Sequence, residues 1–315
     1  MDLVTIGETM VSFVPKGFNS IQYGADFSMR IAGAESNTAI GIRKLGHSAG
    51  WISRVGKDEF GQFVLRMIRA EDIDTTQVTT DNDHKTGIMF KSTSPSNETR
   101  VSYYRDLSAA TYLEPSLINK SYIANAKILH ITGITPILSK SCYETLRYAI
   151  TTARANHTLV SFDPNIRFKL WKNQDHSDMM KELISLSDIL LIGREEADFL
   201  FYSNQIDTIF EMIFSSYNLQ YVAIKDGSRG AWAADKTHTH FIPAVKCKSI
   251  DPIGAGDAFN AGFLSGLLDN LDLNTCGRLG GIAGAYATTT FGDIEGLLSK
   301  EEMLDILNNK TVVTR

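Results

Sequence analysis

A doubly wound α/β fold, a mostly parallel sheet with a small β-sheet lid, is what the order of apolar runs in this 315-residue chain predicts. Two observations carry the prediction. Short apolar runs rich in β-branched residues alternate with stretches of helical period, the pattern of parallel strands joined by crossover helices. Two segments near the N-terminus, 8–30 and 86–106, break that rhythm with short, alternating, Gly- or Thr-punctuated strands.

In chain order, Leu3–Ile6 reads as the first strand, and Asn37–Leu45 and Glu59–Ala70 as amphipathic helices after it. The segments 8–30 and 86–106, including Thr86–Lys91 and Arg100–Tyr104, read as an antiparallel sheet lying as a lid over the crevice at the strand ends. Lys127–Thr132, Thr158–Phe162, Asp188–Ile192 and Tyr221–Lys225 read as further strands. The helical stretches between them are Lys140–Ala155, Ser177–Leu186, Glu195–Phe201 and Thr208–Ser216. Ala231–Ala234 and His238–Ile242 read as a late hairpin in the main sheet. With no repeat and no low-complexity linker, residues 1–315 are expected to form a single domain with a lid.

Bulk composition excludes several classes of function. Lys and Arg number 31 against 36 Asp and Glu, a net charge of −5, so no global basic field draws nucleic acid or anionic membrane. Cys142, Cys247 and Cys276 are odd in number and far apart, which predicts reduced thiols in or near the core. The N-terminal MDLVTIGETMVSF has an acidic residue where a signal peptide needs a basic one, and no run approaches the about 18 apolar residues of a spanning helix. A cytoplasmic protein is expected. His238 and His240 share a strand face and read as solvated hairpin side chains rather than a metal site. His130, inside an apolar strand, reads as a hydrogen-bonded core residue.

Three glycine-bearing segments are candidates for handling phosphate or a hydroxylated ligand. In Asp251-Pro252-Ile253-Gly254-Ala255-Gly256-Asp257, the amides of Gly254, Ala255 and Gly256 would open a helix and favour an anion through aligned donors and the helix dipole. On spacing alone Asp257 is either an N-cap or a general base for a hydroxyl aimed at a phosphoryl group. Lys225-Asp226-Gly227-Ser228-Arg229-Gly230 follows a strand and is either a hairpin turn or a nucleotide contact. Ala32-Gly33-Ala34-Glu35-Ser36-Asn37 starts a helix beside the expected lid, where Gly33 lets a ligand hydroxyl approach the backbone. No P-loop motif occurs.

With these segments the chain resembles the ribokinase-like family of carbohydrate kinases. DPIGAGDAFNAGF is similar to its C-terminal signature and AGAESNTAIGIRKLG to its N-terminal one. The resemblance implies ATP- and Mg2+-dependent phosphorylation of a sugar hydroxyl, with Asp257 as base and the amides of Gly254, Ala255 and Gly256 as anion hole. It implies a nucleotide site that includes Asn165, Lys225, Gly227 and Gly230, and a metal role, through water, for Glu196. Within the family, Val101–Arg105, Leu129–Pro136 and Asp163–Arg167 are most similar to enzymes acting on 2-keto-3-deoxygluconate, in which the positions of Gly33, Tyr103, Arg105, Arg167 and Asp293 contact the sugar acid. An independent argument agrees: a carboxylated sugar calls for a guanidinium, and Arg105 and Arg167 are placed to supply one.

Four positions depart from the family pattern. Ala32 replaces a common glycine, Met89 a tyrosine that faces substrate, Gly193 the Asn of an N-x-x-E motif, and Gly281 a side-chain donor near the nucleotide. A monovalent cation at the Asp251 loop and Thr288–Gly292 is a further candidate cofactor, whose carbonyl ligands would leave no side-chain signature. A fructokinase or other sugar kinase, and a catalytically idle sugar-binding regulatory protein, are the alternative readings. A homodimer through the lid is expected, because an exposed sheet invites a second copy.

Overall fold

The structure is a computed structural model and describes residues 1–16, 26–93, 99–172 and 174–308. Residues 17–25 and 94–98 of the expected lid lie outside the described residues. In chain order the strands are β1 (Leu3–Ile6), β2 (Met10–Pro15), β3 (Phe27–Ala32), β4 (Ala49–Gly56), β5 (Val78–Asp81), β6 (Ile88–Thr93), β7 (Thr99–Tyr104), β8 (Ile128–Thr132), β9 (Leu159–Asp163), β10 (Ile189–Gly193), β11 (Tyr221–Lys225), β12 (Ala231–Ala234) and β13 (Thr239–Ile242). Nine of them form one sheet in the order β13-β12-β11-β10-β9-β8-β1-β4-β5. The strands from β5 to β11 run parallel, and β12 and β13 add an antiparallel hairpin at one edge.

Strand period explains why this sheet needs helices on both sides. Along β10, Ile189 and Leu191 join one apolar cluster while Leu190 and Ile192 join the other. One face is covered by the helices Ala34–Lys44, Ala255–Leu268 and Leu273–Ala287; the other by Lys140–Ala155, Ser177–Ser185, Arg194–Phe201 and Ile206–Ser216. The sheet order reverses at β1, with β8 on one side and β4 on the other. A crevice opens at the carboxyl ends of strands at such a switch point.

The second sheet corrects one expectation. Its order is β3-β2-β6-β7, with β2–β3 and β6–β7 antiparallel as expected, but β2 and β6 pair parallel, Val11 opposite Ile88. The two hairpins are separated by β4, β5 and two helices that belong to the main body, so the chain re-enters the small sheet in the same direction. The thiols divide too: Cys142 and Cys276 are buried, whereas Cys247 is exposed, outside the core environment expected of it.

Glycine serves helix packing as well as ligand approach. The helices Ala255–Leu268 and Leu273–Ala287 lie so close that a Cβ on Gly262 would stand 2.5 Å from the Leu279 carbonyl oxygen. Backbone cannot retreat from such a contact without moving a helix. Gly262→Ala is therefore expected to cost about 2 kcal/mol, read as a lower urea midpoint at unchanged m-value; an unchanged midpoint would refute the packing account.

Candidate active site

A cavity of about 1080 Å³ lies between the small sheet and the carboxyl ends of the parallel strands. Every residue expected to act on substrate or nucleotide lines it: Gly33, Tyr103, Arg105, Asn165, Arg167, Glu196, Lys225, Gly227, Gly230, Gly254, Ala255, Gly256, Asp257 and Asp293. Residues more than 200 positions apart in sequence thus meet because they end strands or start helices at one rim. Asp163, Gly193 and Lys225 are the last residues of β9, β10 and β11.

The helix Ala255–Leu268 starts with Gly254 as N-cap at φ +85°, where a Cβ would stand 2.8 Å from the Asp293 main-chain oxygen. Conformation and space both call for glycine. The first intrahelical bond is Ala258 N–H to the Gly254 carbonyl at 2.9 Å; of the amides before it, Ala255 N–H makes a long 3.4 Å bond to the Pro252 carbonyl, and the others have no intrahelical acceptor. Asp257 is not the N-cap. Its carboxylate is buried and accepts a hydrogen bond from Asn37 Nδ2 at 2.8 Å. Burial is the main cause that pushes its pKa up, to about 7; Asn37 and the positive charge of Arg167 oppose the rise, while Asp163 and Asp293 add to it.

The other acidic groups are tied down. Asp163 accepts from Lys225 Nζ at 2.7 Å and from Asn260 Nδ2 at 2.6 Å. Lys225 also reaches Asn260 Oδ1, 3.1 Å away, and its ammonium faces Gly256. Glu196 has both oxygens on backbone amides, Ile166 N–H at 2.6 Å and Gly193 N–H at 2.8 Å, so it braces two strand ends; burial, and then Asp163, raise its pKa. The Gly193 departure therefore keeps a role as the N-cap that Glu196 closes. Among the described residues no group of three or more His, Cys, Asp or Glu is arranged to hold a metal. The donor set suits a magnesium ion that arrives on phosphates and keeps much of its water, with Glu196 and Asp163 as nearby acidic groups.

The sugar end carries a qualification for Arg105. Its Nε and Nη2 both contact Glu8 Oε2, at 2.7 and 2.5 Å, and Ser108 Oγ donates to the other Glu8 oxygen at 2.6 Å. Arg105 is thus buried and paired rather than a free cation, and only Nη1 lies outside the pair. Its guanidinium sits 5.7 Å from the Tyr103 ring centre. Arg167, by contrast, is exposed on the cavity wall. Met89 packs with Met10 and Ala32 beneath Tyr103, so this wall is apolar where a tyrosine hydroxyl was the family expectation. Gly281 lines the far wall beside Cys247 and Ser249.

Several groups escaped the sequence reading. Glu35 is buried at the cavity wall, accepts from the Thr132 and Thr135 hydroxyls at 2.7 Å each, and has its pKa raised by burial. Lys91 reaches Asp251 and Asp293, both at 2.8 Å. The signal for Lys91 lay in strand period: Met89 faces the cavity, and its neighbour two residues on must face the same way. His130 stays out of the site. It bonds Ser161 Oγ at 3.1 Å within the sheet, and burial lowers its pKa to about 4.

With this geometry in place, the chain matches the pfkB family of carbohydrate kinases over residues 1–300, and it belongs to that family. A 2-dehydro-3-deoxygluconokinase of Bacillus subtilis (strain 168) is 32% identical over 316 residues, covering 99% of this chain and 97% of the relative. A probable fructokinase-7 of Arabidopsis thaliana is 29% identical, over 98% of this chain and 92% of the relative. The structure of an uncharacterised sugar kinase from Pyrococcus horikoshii in complex with ATP superposes with a TM-score of 0.83 at 25% identity, covering 96% and 97% of the two chains. The protein is a carbohydrate kinase, a phosphotransferase with an alcohol group as acceptor.

Because Asp257 is held with a raised pKa, its ionisation opposes folding. In the unfolded chain the carboxyl ionises near pH 3.8; in the fold it does so near 7, so stability is lost as pH rises between those values. Asp257→Asn should melt higher than the parent at pH 8, and the gain should shrink as pH is lowered toward 5. A gain independent of pH would remove the buried-carboxylate account.

Proposed function

We propose that the protein transfers the γ-phosphoryl group of ATP to the primary hydroxyl of 2-keto-3-deoxygluconate. The observation that carries the chemistry is Asp257, buried with a pKa near 7 at the start of a helix whose first amides line the same cavity. A base must be ionised at working pH yet ready to accept a proton, and a carboxyl tuned to neutrality meets both demands. As Asp257 draws the proton from the sugar hydroxyl, negative charge develops on the phosphoryl oxygens. The amides of Gly254, Ala255 and Gly256 and the Lys225 ammonium lie on that side. Magnesium bound with ATP supplies further neutralisation of phosphate charge. The turn with Gly227 and Gly230, and Asn165 at φ +40°, form the adjoining wall for the nucleotide.

The substrate assignment rests on the cations of the cavity wall near the base. Arg167 is exposed to the cavity and, with Nη1 of Arg105, presents donors that match a carboxylate; Tyr103, Gly33 and Asp293 shape the sugar pocket. A Cβ at Gly33 would stand 2.5 Å from the Glu8 carbonyl oxygen, so close packing against Glu8 and Thr9 requires glycine there. The small sheet acts as a lid whose closure excludes water from the phosphoryl group. Phe13, Phe27, Phe90 and Tyr104 are in ring contact on it, with Phe13 covered by Phe60 of the main body and Tyr104 exposed, and the exposed end supports a second copy docking there. A fructokinase is the second reading, favoured by the Glu8–Arg105 pair, since a neutralised guanidinium also suits an uncharged sugar.

A coupled ADP assay over 2-keto-3-deoxygluconate, fructose and ribose separates the readings. The ketodeoxy acid is expected to lead by about 100-fold in kcat/KM; preference for fructose would overturn the assignment. Arg167→Ala should raise KM for the sugar acid at least about tenfold, near 1.4 kcal/mol, and leave KM for ATP within about twofold. A variant that loses ATP affinity instead would place Arg167 on the nucleotide.

A further inference from the structure

Lys91 is a lysine with 2% of its side chain exposed, and it comes from the small sheet rather than from the body that holds the base. Burying an ammonium is unfavourable unless opposite charge surrounds it. Here Nζ lies 2.8 Å from Asp251 Oδ2 and 2.8 Å from Asp293 Oδ1, and those two charges outweigh burial and hold Lys91 above its ordinary pKa. The two aspartates bracket the turn that opens the Ala255–Leu268 helix. Asp251 uses its other oxygen to accept Ile253 N–H at 3.1 Å. The Asp293 main chain abuts Gly254, and its free oxygen lies 3.4 Å from Asn37 Nδ2, the donor that also holds Asp257.

The same loops are where a monovalent cation is a candidate; Thr290 Oγ1 is buried there without a partner among the described residues, but the carboxylates that would balance the ion's charge are taken. The Asp251 and Asp293 carboxylates are committed to an ammonium. The Thr288 carbonyl already accepts the amides of Ile250 and Asp251, at 2.7 and 3.1 Å. A second cation touching these carboxylates would sit against Lys91, where like charges repel strongly in a buried site.

We infer that Lys91 is a built-in cation: its ammonium takes the electrostatic place of a monovalent ion beside the phosphoryl-transfer turn, so this kinase works without one. Lys91 is a positioning residue, acting through Asp251 and Asp293 on the Gly254 turn and on Asn37. The inference rests on the placement of phosphoryl transfer at this turn, but not on which sugar is the acceptor.

The test is kcat with ATP and whichever sugar the panel selects, in tetramethylammonium chloride, with K+ or NH4+ then added at constant ionic strength. The parent protein should change by less than twofold; a larger activation by either ion overturns the inference, whatever any variant does. Lys91→Ala leaves space the size of an ammonium. Its kcat should fall at least tenfold, and NH4+ or K+ should restore it at least fivefold, while tetramethylammonium, too large to enter, does not. A loss that neither ion restores also overturns it, because a purely structural lysine is not replaced by a dissolved ion. If Lys91→Ala does not fold, the parent measurement and the same titration on Lys91→Gln decide the matter. An active Asp257→Asn would instead remove the base assignment, so the two failures are distinguishable.

Discussion

The site depends on a balance of buried charge around the start of one helix. Asp163, Glu196, Asp251, Asp257 and Asp293 are gathered at a rim with little water to screen them, and two lysines, Lys91 and Lys225, enter from opposite sides. Lys225 comes from the end of a strand of the large sheet, Lys91 from the small sheet. The two ammoniums pair with Asp163, Asp251 and Asp293, whereas the hydrogen-bond donor to Asp257 is a neutral amide, Asn37. That difference in partners sets Asp257, the proposed base, apart from Asp163, Asp251 and Asp293.

The same balance reconciles an acidic chain with anionic reactants. A net charge of −5 is spread over the whole surface, whereas Arg167, Lys225 and the amides at the helix start act within the cavity. At such distances local donors outweigh a diffuse field that salt screens. The enclosure formed by the small sheet strengthens this, since removing water raises the worth of each charge inside.

Much of the fold was legible because long apolar segments obey simple periods. Leu3–Ile6, Tyr221–Lys225, Glu59–Ala70 and Lys140–Ala155 lie where their patterns placed them. The helix Leu273–Ala287 is not evident from the sequence, because its glycines and alanines are buried on several sides and leave only a narrow polar stripe at Asn274 and Arg278. The parallel pairing of β2 with β6 was hidden because nothing local in either strand states its partner. In the site, the glycines and Asp257 announced themselves by motif. The Glu8–Arg105 pair and the Lys91 bridge did not, since each joins residues about 100 or more positions apart. Glycine abundance, which suggests close approach to ligand, proved to have a second cause in the tight contact of two helices.

The central claim is that Asp257 is a buried carboxyl that titrates near neutrality and must be ionised to act. The groups facing it are Asn37, Asp163, Arg167 and Asp293, with Lys225 paired to Asp163 and Lys91 to Asp293; burial also holds the Asp293 carboxyl above its ordinary range. The most direct test is the pH dependence of kcat/KM with the preferred sugar at saturating ATP. The account predicts a plateau above about pH 7.5 and a tenfold fall for each unit below about 7, following protonation of Asp257. A profile that stays level from pH 5.5 to 8.5 would contradict it.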